Sequence, residues 1–513
     1  MPQPTPIPAP AARRAILALG LLAAASAAHG QEPSPARLTL DEVVRTTLAS
    51  SAGVRAAEAG VRRQEGMVRQ AQGAFDPRLE TSLSAQRVED PTAAAAADAG
   101  VATSRGMEYG VGIDRRLRSG IVVSPQLSVS RAETPGSDVL PRSLATASLD
   151  VLLPLGRGRG GGLPAARERA AHGAHQASAA DLRQQRSASV LRSVEAYWGY
   201  LAAVKRLEVQ REAENRAARL VEETRRLVAA DQRPAADLVR VEASLASRRA
   251  ARLAEEQGLT AARRDLGLAM GIPAASLAAL PAPATPFPVP GSGAAGAIPT
   301  PAAVAAEALR TRPDLAALRA RRQAAHTLLR GARGEMRPRL DLGVRVGYTG
   351  VEDGAALHGM LPPLSGRSGV HAEVRISSGL ALGNREAEGL ALQSAADEQD
   401  AADAERELAR TIALQAEAAV ETLRRSAAEL DQAAEAARLN SLAVENERRR
   451  FQLGGATLFD VLYAEDGLTS ATLARIEGEL RHAVALARLR AAAGSLAADP
   501  SSPTSPSPEA GDA

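Results

Sequence analysis

Apolar and small residues recur at heptad spacing over much of the second half of the chain. From Ile412 onward, the positions on this stripe are Ala416, Ala419, Leu423, Leu430, Ala437, Val444 and Phe451. A second stripe follows at Leu473, Leu480 and Ala487. Because a heptad stripe buries one helix face against another helix, the pattern predicts a coiled-coil hairpin. A helix within Glu386 to Leu453 would be about 90 Å long at the usual rise per residue.

A comparable stripe begins in the first half of the chain. Its first positions are Val190, Val194, Tyr197, Leu201 and Val204. We therefore predict a second coiled-coil hairpin, with the aromatic cluster from Tyr197 to Tyr200 packed in its core and not used for stacking on a substrate.

Between the helical segments the period changes from about 3.6 to 2, as in β-strands. In the second half the alternating positions are Leu340, Leu342, Val344, Val346 and Tyr348, then Val370, Ala372, Val374 and Ile376. In the first half the strand-like segments are Leu79–Val88, Met107–Arg116, Ile121–Arg131 and Leu144–Leu153. Their lengths approach the roughly 9 to 11 residues of a tilted membrane strand.

The same order of predicted elements occurs twice along the chain. The stretch from Thr46 to Glu80 parallels the stretch from Ala308 to Leu342, because each has an Ala/Arg-rich helix ending in Pro-Arg-Leu. Pro77 and Pro338 stop these helices and turn the chain into extended structure. We predict two structural repeats, at residues 37–280 and 302–497, joined by a Pro/Ala/Gly linker at 281–301.

The two ends of the sequence predict segments outside the repeats. Arg13 and Arg14 precede an apolar run from Ala15 to Ala28, which is typical of a secretory signal peptide covering residues 1–30. Residues 498–513 are rich in Ser and Pro and are predicted to be a disordered tail.

Charge and composition argue against nucleic-acid binding and enzymatic chemistry. The 62 basic and 59 acidic residues are interspersed, which is typical of a solvated helical surface. Cysteine is absent, so disulfides and thiolate metal sites are excluded, and no histidine spacing predicts a metal site. Gly156, Gly158 and Gly161 spell a dinucleotide-type GxGxxG, but no parallel-sheet pattern surrounds them. We predict no catalytic residues and no cofactor.

The strand hairpins decide between two interpretations of the coiled coils. A solitary coiled coil would need no strands, and a periplasmic adaptor or structural scaffold would keep the helices without entering a membrane. A strand pair has open edges that cannot sit in lipid, so copies of the chain would have to close a barrel together. We therefore predict a mainly α protein with a membrane β-barrel, and the adaptor remains the alternative.

Helix, strand hairpin and helical hairpin, repeated once behind a signal peptide, resemble the TolC-type outer-membrane efflux protein family. The best local similarity is Arg450 to Leu468, with an aromatic residue, a Gly and then Asp-Val-Leu; Arg226 to Leu245 is similar with one extra residue. The resemblance implies a homotrimer with a twelve-strand barrel in outer-membrane lipid and a twelve-helix periplasmic tunnel. It also implies passive export in tripartite efflux or type I secretion, with a periplasmic adaptor and an inner-membrane pump of the RND or ABC type.

The resemblance also implies an aperture at the periplasmic tips. Asp460 and Asp237 match the family's acidic pore residues, Tyr463 falls on a further acidic position, Phe451 falls on a gate-closing tyrosine, and Ala456 replaces a locking arginine. The simpler alternative is that Asp460 only caps its helix. The adaptor would contact the tips around Ala229–Ala235 and Leu453–Leu458, and the residues expected to form those contacts are Gly454, Gly455, Thr457, Arg233 and Pro234.

The first half departs from the family in its number of strands. Four strand-like segments stand where two are expected, and the pair from Met107 to Arg131, turning at Arg118 to Gly120, is the candidate insertion. The sequence leaves open whether this pair widens the barrel or extends it outside the cell.

Overall fold

Long helices and one antiparallel sheet account for nearly all of the described chain in the computed structural model. The structure describes residues 38–91, 101–133, 135, 140–290, 298–354 and 367–496. The predicted signal peptide and tail lie outside these ranges. The elements in chain order are α1 (Leu40–Ser50), α2 (Ala52–Gln72), β1 (Arg78–Pro91), β2 (Val101–Arg116), β3 (Val122–Glu133), β4 (Arg142–Pro154), α3 (Gly162–Ala229), α4 (Ala235–Met270), α5 (Pro301–Thr311), α6 (Pro313–Glu335), β5 (Arg339–Asp353), β6 (Arg367–Gly379), α7 (Arg385–Gln452) and α8 (Leu458–Ala492).

The two predicted coiled-coil hairpins are present. α3 and α7 each have 68 residues, so each is about 100 Å long. α3 packs along α4, α7 packs along α8, and the hairpins meet where α3 contacts α8. The heptad positions Ala416, Leu423, Leu430, Ala437, Val444 and Phe451 are all buried, as the spacing predicts. None of the helices in the described ranges is both long and apolar enough to cross a membrane.

The aromatic cluster of α3 lies in the largest apolar core, as predicted. Tyr197 is fully buried, and its hydroxyl donates to the Leu38 carbonyl at 3.1 Å and accepts from the Thr285 N–H at 2.9 Å. Trp198 packs against Phe287, with 5.6 Å between ring centroids. The segment predicted as a linker is therefore anchored on the core at its beginning, because Phe287 supplies an aromatic ring that Pro/Ala/Gly composition conceals.

The six strands form a single meander in the order β1 to β6, with every neighbouring pair antiparallel. The sheet crosses from the first half of the chain to the second where β4 pairs with β5, for example Leu149 opposite Val346. The four strand-like segments of the first half thus belong to the same six-stranded sheet, called the wall below, as the two of the second half.

One face of this sheet is apolar and exposed, while the other is polar. The exposed apolar side chains on the first face include Leu79, Leu83, Met107, Val111, Ile113, Leu149, Val346, Val370, Val374 and Ile376. The opposite face carries charge, since Arg345 on β5 contacts Asp150 on β4 at 2.5 Å and Glu373 on β6 at 3.8 Å. The alternation of side chains along each strand produces this division.

A glycine-rich junction leads from β4 into α3. Gly158 and Gly161 have φ of 89° and 86°, a left-handed backbone that side chains with a Cβ disfavour. The glycines of the GxGxxG spacing therefore serve the change from strand to helix.

Candidate functional site: the joined helical tips

The second helical tip reverses the chain between α7 and α8 within five residues. Gly454 has a φ of 77°, and the Gly455 N–H donates to the Arg450 carbonyl at 2.8 Å, which closes α7. Thr457 then caps α8. Glycine is suited to this place because the left-handed turn costs it no steric clash.

Asp460 takes part in that cap. The Asp460 Oδ2 accepts the Thr457 N–H at 2.8 Å and the Thr457 hydroxyl at 2.7 Å, and the Asp460 N–H donates to the Thr457 Oγ1 at 3.3 Å. These bonds form a capping box. The hydrogen bond from the Thr457 N–H, followed by that from its hydroxyl, lowers the pKa of the Asp460 carboxyl. The capping role considered from the sequence is therefore confirmed, and it keeps the carboxylate ionised.

The first tip reverses the chain between α3 and α4 and uses other residues to do so. Asp231 takes the left-handed conformation with a φ of 57°, and α4 starts at Ala235 directly after Pro234. Pro234 thus precedes the helix as its N-cap. Asp237 lies in the first helical turn, partly exposed. Within the described residues, no hydrogen bond or ion pair joins Asp237 to the second tip.

The two tips are packed on each other. A small apolar cluster includes Val221 of α3, Val241 of α4 and Val461 of α8. Phe451 belongs to this cluster with 8% exposure, and the Arg233 guanidinium lies over its ring, 4.6 Å from the centroid. Two residues predicted separately, one on each tip, are therefore in direct contact.

On the sheet side of the apolar cluster lies an ionic cluster that the sequence analysis missed. Glu465 of α8 accepts from the Arg216 Nε of α3 at 2.7 Å and also pairs with Arg448 of α7. Arg248 of α4 pairs with the neighbouring Asp466. Burial, together with repulsion from Arg216, lowers the pKa of Arg248. Three guanidinium groups, one each from α3, α4 and α7, are therefore paired with two adjacent carboxylates of α8.

Glu465 could have been noticed in the sequence. It stands seven residues after Leu458, one heptad interval from a buried apolar residue at the start of α8. A charged residue at such a position is rare unless it is paired, because burying an unpaired charge is costly.

The ionic contact is the last step of a series along the α3–α8 seam. The pairs, from the sheet-proximal end to the tip, are Glu195–Arg488 at 2.7 Å, Lys205–Glu479 at 3.0 Å, Arg206–Glu477 at 3.6 Å and Arg216–Glu465 at 2.7 Å. Each pair joins the first hairpin to the second. These four ion pairs therefore follow the seam between the two hairpins, beside apolar contacts such as the cluster that holds Val194 of α3 and Ala483 of α8.

The outer surface of the second tip carries exposed aromatic residues. Tyr463 is 73% exposed and stacks on Phe459, which is 67% exposed, with 6.4 Å between the ring centroids. Gly455 and Thr457 are also exposed. Phe459 was not among the predicted residues, although its spacing of four from Tyr463 places both on one helix face.

Two long helical hairpins joined at their tips, below an antiparallel sheet with one apolar face, define the fold of outer-membrane channel proteins. The crystal structure of the outer membrane protein VceC from Vibrio cholerae is similar, with 18% identity, 89% of this chain and 96% of that chain covered and a TM-score of 0.63. The Campylobacter jejuni CmeC outer membrane channel is similar at 14% identity, with 89% and 85% covered and a TM-score of 0.65.

The open state of the Neisseria gonorrhoeae MtrE outer membrane channel also resembles this chain, with 18% identity, 89% and 88% covered and a TM-score of 0.60. No protein-family model and no curated protein sequence matches the chain. The resemblance that the sequence indicated is thus confirmed in the fold.

Proposed function

We propose that this chain is the outer-membrane channel subunit of an export system and conducts substrate passively from the periplasm to the exterior. The main support is the likeness of fold to outer-membrane channels over 89% of the chain. The exposed apolar face of the sheet fits this function, because lipid would cover side chains such as Leu83 and Val374 that water otherwise contacts.

We infer that the chain works as a homotrimer of two tandem repeats per subunit. The repeat is supported by matched element lengths, since α1 and α5 have 11 residues each and α4 and α8 have 36 and 35. Closure of the sheets between copies would form a barrel in outer-membrane lipid, with the helices extending into the periplasm. No catalytic or cofactor-dependent step is part of this function.

The joined tips are the proposed aperture. Asp460, partly exposed and kept ionised by its cap, would place one carboxylate per subunit around a narrow passage and favour cations there. Asp237 would add a second acidic position, and Tyr463 an aromatic one. Phe451 and Arg233 would contribute by fastening the two tips of one subunit to each other.

A periplasmic adaptor would dock on the exposed tips, and an inner-membrane pump of the RND or ABC type would supply the energy. Gly454, Gly455 and Thr457 on one tip, with Arg233 and Pro234 on the other, remain the proposed contact residues. Tripartite efflux is favoured over the adaptor-or-scaffold alternative because a free-standing adaptor would not need a sheet with one exposed apolar face.

Planar-bilayer recording of the purified chain tests this proposal. We expect discrete conductance steps with a preference for cations, and Asp460→Asn should weaken that preference. Asp41→Asn is the matched control, because Asp41 also lies exposed in the first turn of a helix but far along the chain from the tips. If the channel conducts and Asp460→Asn does not change its ion selectivity, the channel function is supported but the assignment of Asp460 to the aperture is wrong. A soluble chain without conductance would favour the adaptor.

A further inference from the structure

The two outer strands of the sheet have unused edges. β1 pairs only with β2 and β6 pairs only with β5 within the described chain. The apolar side chains on these edge strands are the most exposed of the sheet, with Leu83 at 75%, Val370 at 76% and Val374 at 70%. In lipid, backbone N–H and C=O groups along such edges would lack any partner, which costs several kcal/mol each by order of magnitude. The edges therefore require pairing.

The strands between these edges all run the full height of the sheet. The turn that joins β2 to β3 lies beside the start of α3, because the Arg118 guanidinium binds Glu168 of α3 at 2.6 Å and stacks over the Phe75 ring at 5.0 Å. At Gly120 a Cβ would come within 2.3 Å of the Gly158 carbonyl oxygen. The additional hairpin is thus fitted to the helical junction and is part of the wall, and the alternative of an extension beyond the far end of the sheet is wrong.

The register of the sheet has the slant of a membrane barrel. Crossing the ladder from Thr81 passes through Val111, Leu127, Ala147 and Tyr348 to Val370. Thr81 is three residues above Arg78, where β1 begins, and Val370 is nine above Gly379, where β6 ends. The ladder therefore climbs six residues across six strands. With usual strand dimensions this climb over five strand-to-strand steps corresponds to a tilt of about 40°, within the range of outer-membrane barrels.

We propose that β6 of one copy pairs antiparallel with β1 of the next, so that three copies close a barrel of eighteen strands instead of twelve. This inference rests on the trimeric channel proposed above. Keeping the strand ends level sets Gly379 opposite Arg78, Arg375 opposite Ser82 and Val374 opposite Leu83. The apolar face then continues across the seam without interruption. The backbone radius becomes about 18 Å, against about 12 Å for twelve strands at the same tilt.

The natural absence of cysteine makes the seam directly testable by disulfide formation in outer membranes of producing cells. The double variant Ser82→Cys/Arg375→Cys places one thiol on each edge. Within one copy the two thiols lie on opposite edges of the sheet, at β1 and β6. Only neighbouring copies can therefore join them. Directly opposed residues have Cα atoms about 4.5 to 5.5 Å apart, which suits a disulfide. We expect covalent dimers and trimers on non-reducing gels.

Four further double variants complete the experiment. Glu373→Cys and Ser377→Cys, each with Ser82→Cys, measure a register shifted by two residues in either direction. Val374→Cys with Ser82→Cys is the control, since Val374 points to the other face and should join poorly. Gln126→Cys with Arg375→Cys reports the twelve-strand alternative, in which β1 and β2 leave the wall and β6 meets β3.

The outcomes separate this inference from the proposed function. Joining of Ser82→Cys to position 373, 375 or 377 supports eighteen strands. Joining to Gln126→Cys alone, or conducting channels with no joining at any pair, overturns the eighteen-strand barrel and leaves the channel in place. Joining at position 82 without any conductance would instead keep the seam and overturn the proposed channel function.

Discussion

Loss of the Glu465 charge should weaken the contact between the two helical tips more than loss of any exposed carboxylate. The Glu465 and Arg216 side chains are 12% and 16% exposed, so the pair is screened little by water. In Glu465→Gln, Arg216 and Arg448 keep their charges beside Arg248 and lose their common acceptor charge. Removing one partner of a buried ion pair costs about 3 kcal/mol at the lower end of the usual range.

That cost acts on the separation of the two hairpins, because Glu465 is on α8 and Arg216 is on α3. If opening parts α3 from α8, the open state loses nothing by the substitution while the closed state loses about 3 kcal/mol. The equilibrium should then shift toward the open state by roughly a hundredfold. Single-channel recording of open probability measures this shift directly.

Glu435→Gln is the matched control. Glu435 pairs with Arg438 at 2.7 Å on the surface of α7, and both side chains are at least half exposed, so open probability should not change. Circular dichroism of both variants should show the native helical signal. The contrary outcome is that Glu465→Gln folds normally and has the same open probability as Glu435→Gln. In that case the ionic cluster does not hold the tips closed, and the reasoning from its burial is wrong.

Two further predictions concern other parts of the molecule. Gly120→Ala should lower the unfolding temperature several degrees more than Gly160→Ala, because both have a left-handed backbone but only at Gly120 would a Cβ meet a carbonyl oxygen; equal effects would show that the β2–β3 turn does not press on the junction. His482 is buried between α7 and α8 beside Ser426, and burial lowers its pKa although Asp431 opposes this. The stability it contributes is complete above the ordinary pKa of about 6.5 and is lost as pH falls from there, so unfolding temperatures at pH 7.5 and 5 should differ less in His482→Gln than in the native chain. An unchanged difference would contradict this.

The sequence predicted the helices and strands well where a period was long and uninterrupted. The heptad stripe ending at Phe451 predicted a helix of about 90 Å within Glu386 to Leu453, and α7 occupies Arg385–Gln452; alternation predicted all six strands. Capping at Thr457 and Asp460 follows from local chemistry within one turn, so it too could be read from neighbouring residues. These features depend on contacts between residues that are close in the chain.

Only the tertiary structure decided which faces meet. Arg216 and Glu465 are 249 residues apart, and the spacing of neither residue identifies the other. Likewise, alternation assigns Leu149 and Val346 to an apolar face but does not say that β4 and β5 are neighbours, nor that the β2–β3 turn sits at the helical end. Periodicity determines the side of an element that is buried, because that depends on backbone geometry alone. The partner across the interface depends on how all elements pack at once, and for this chain that packing decided the ionic cluster at the tips and the single six-stranded wall.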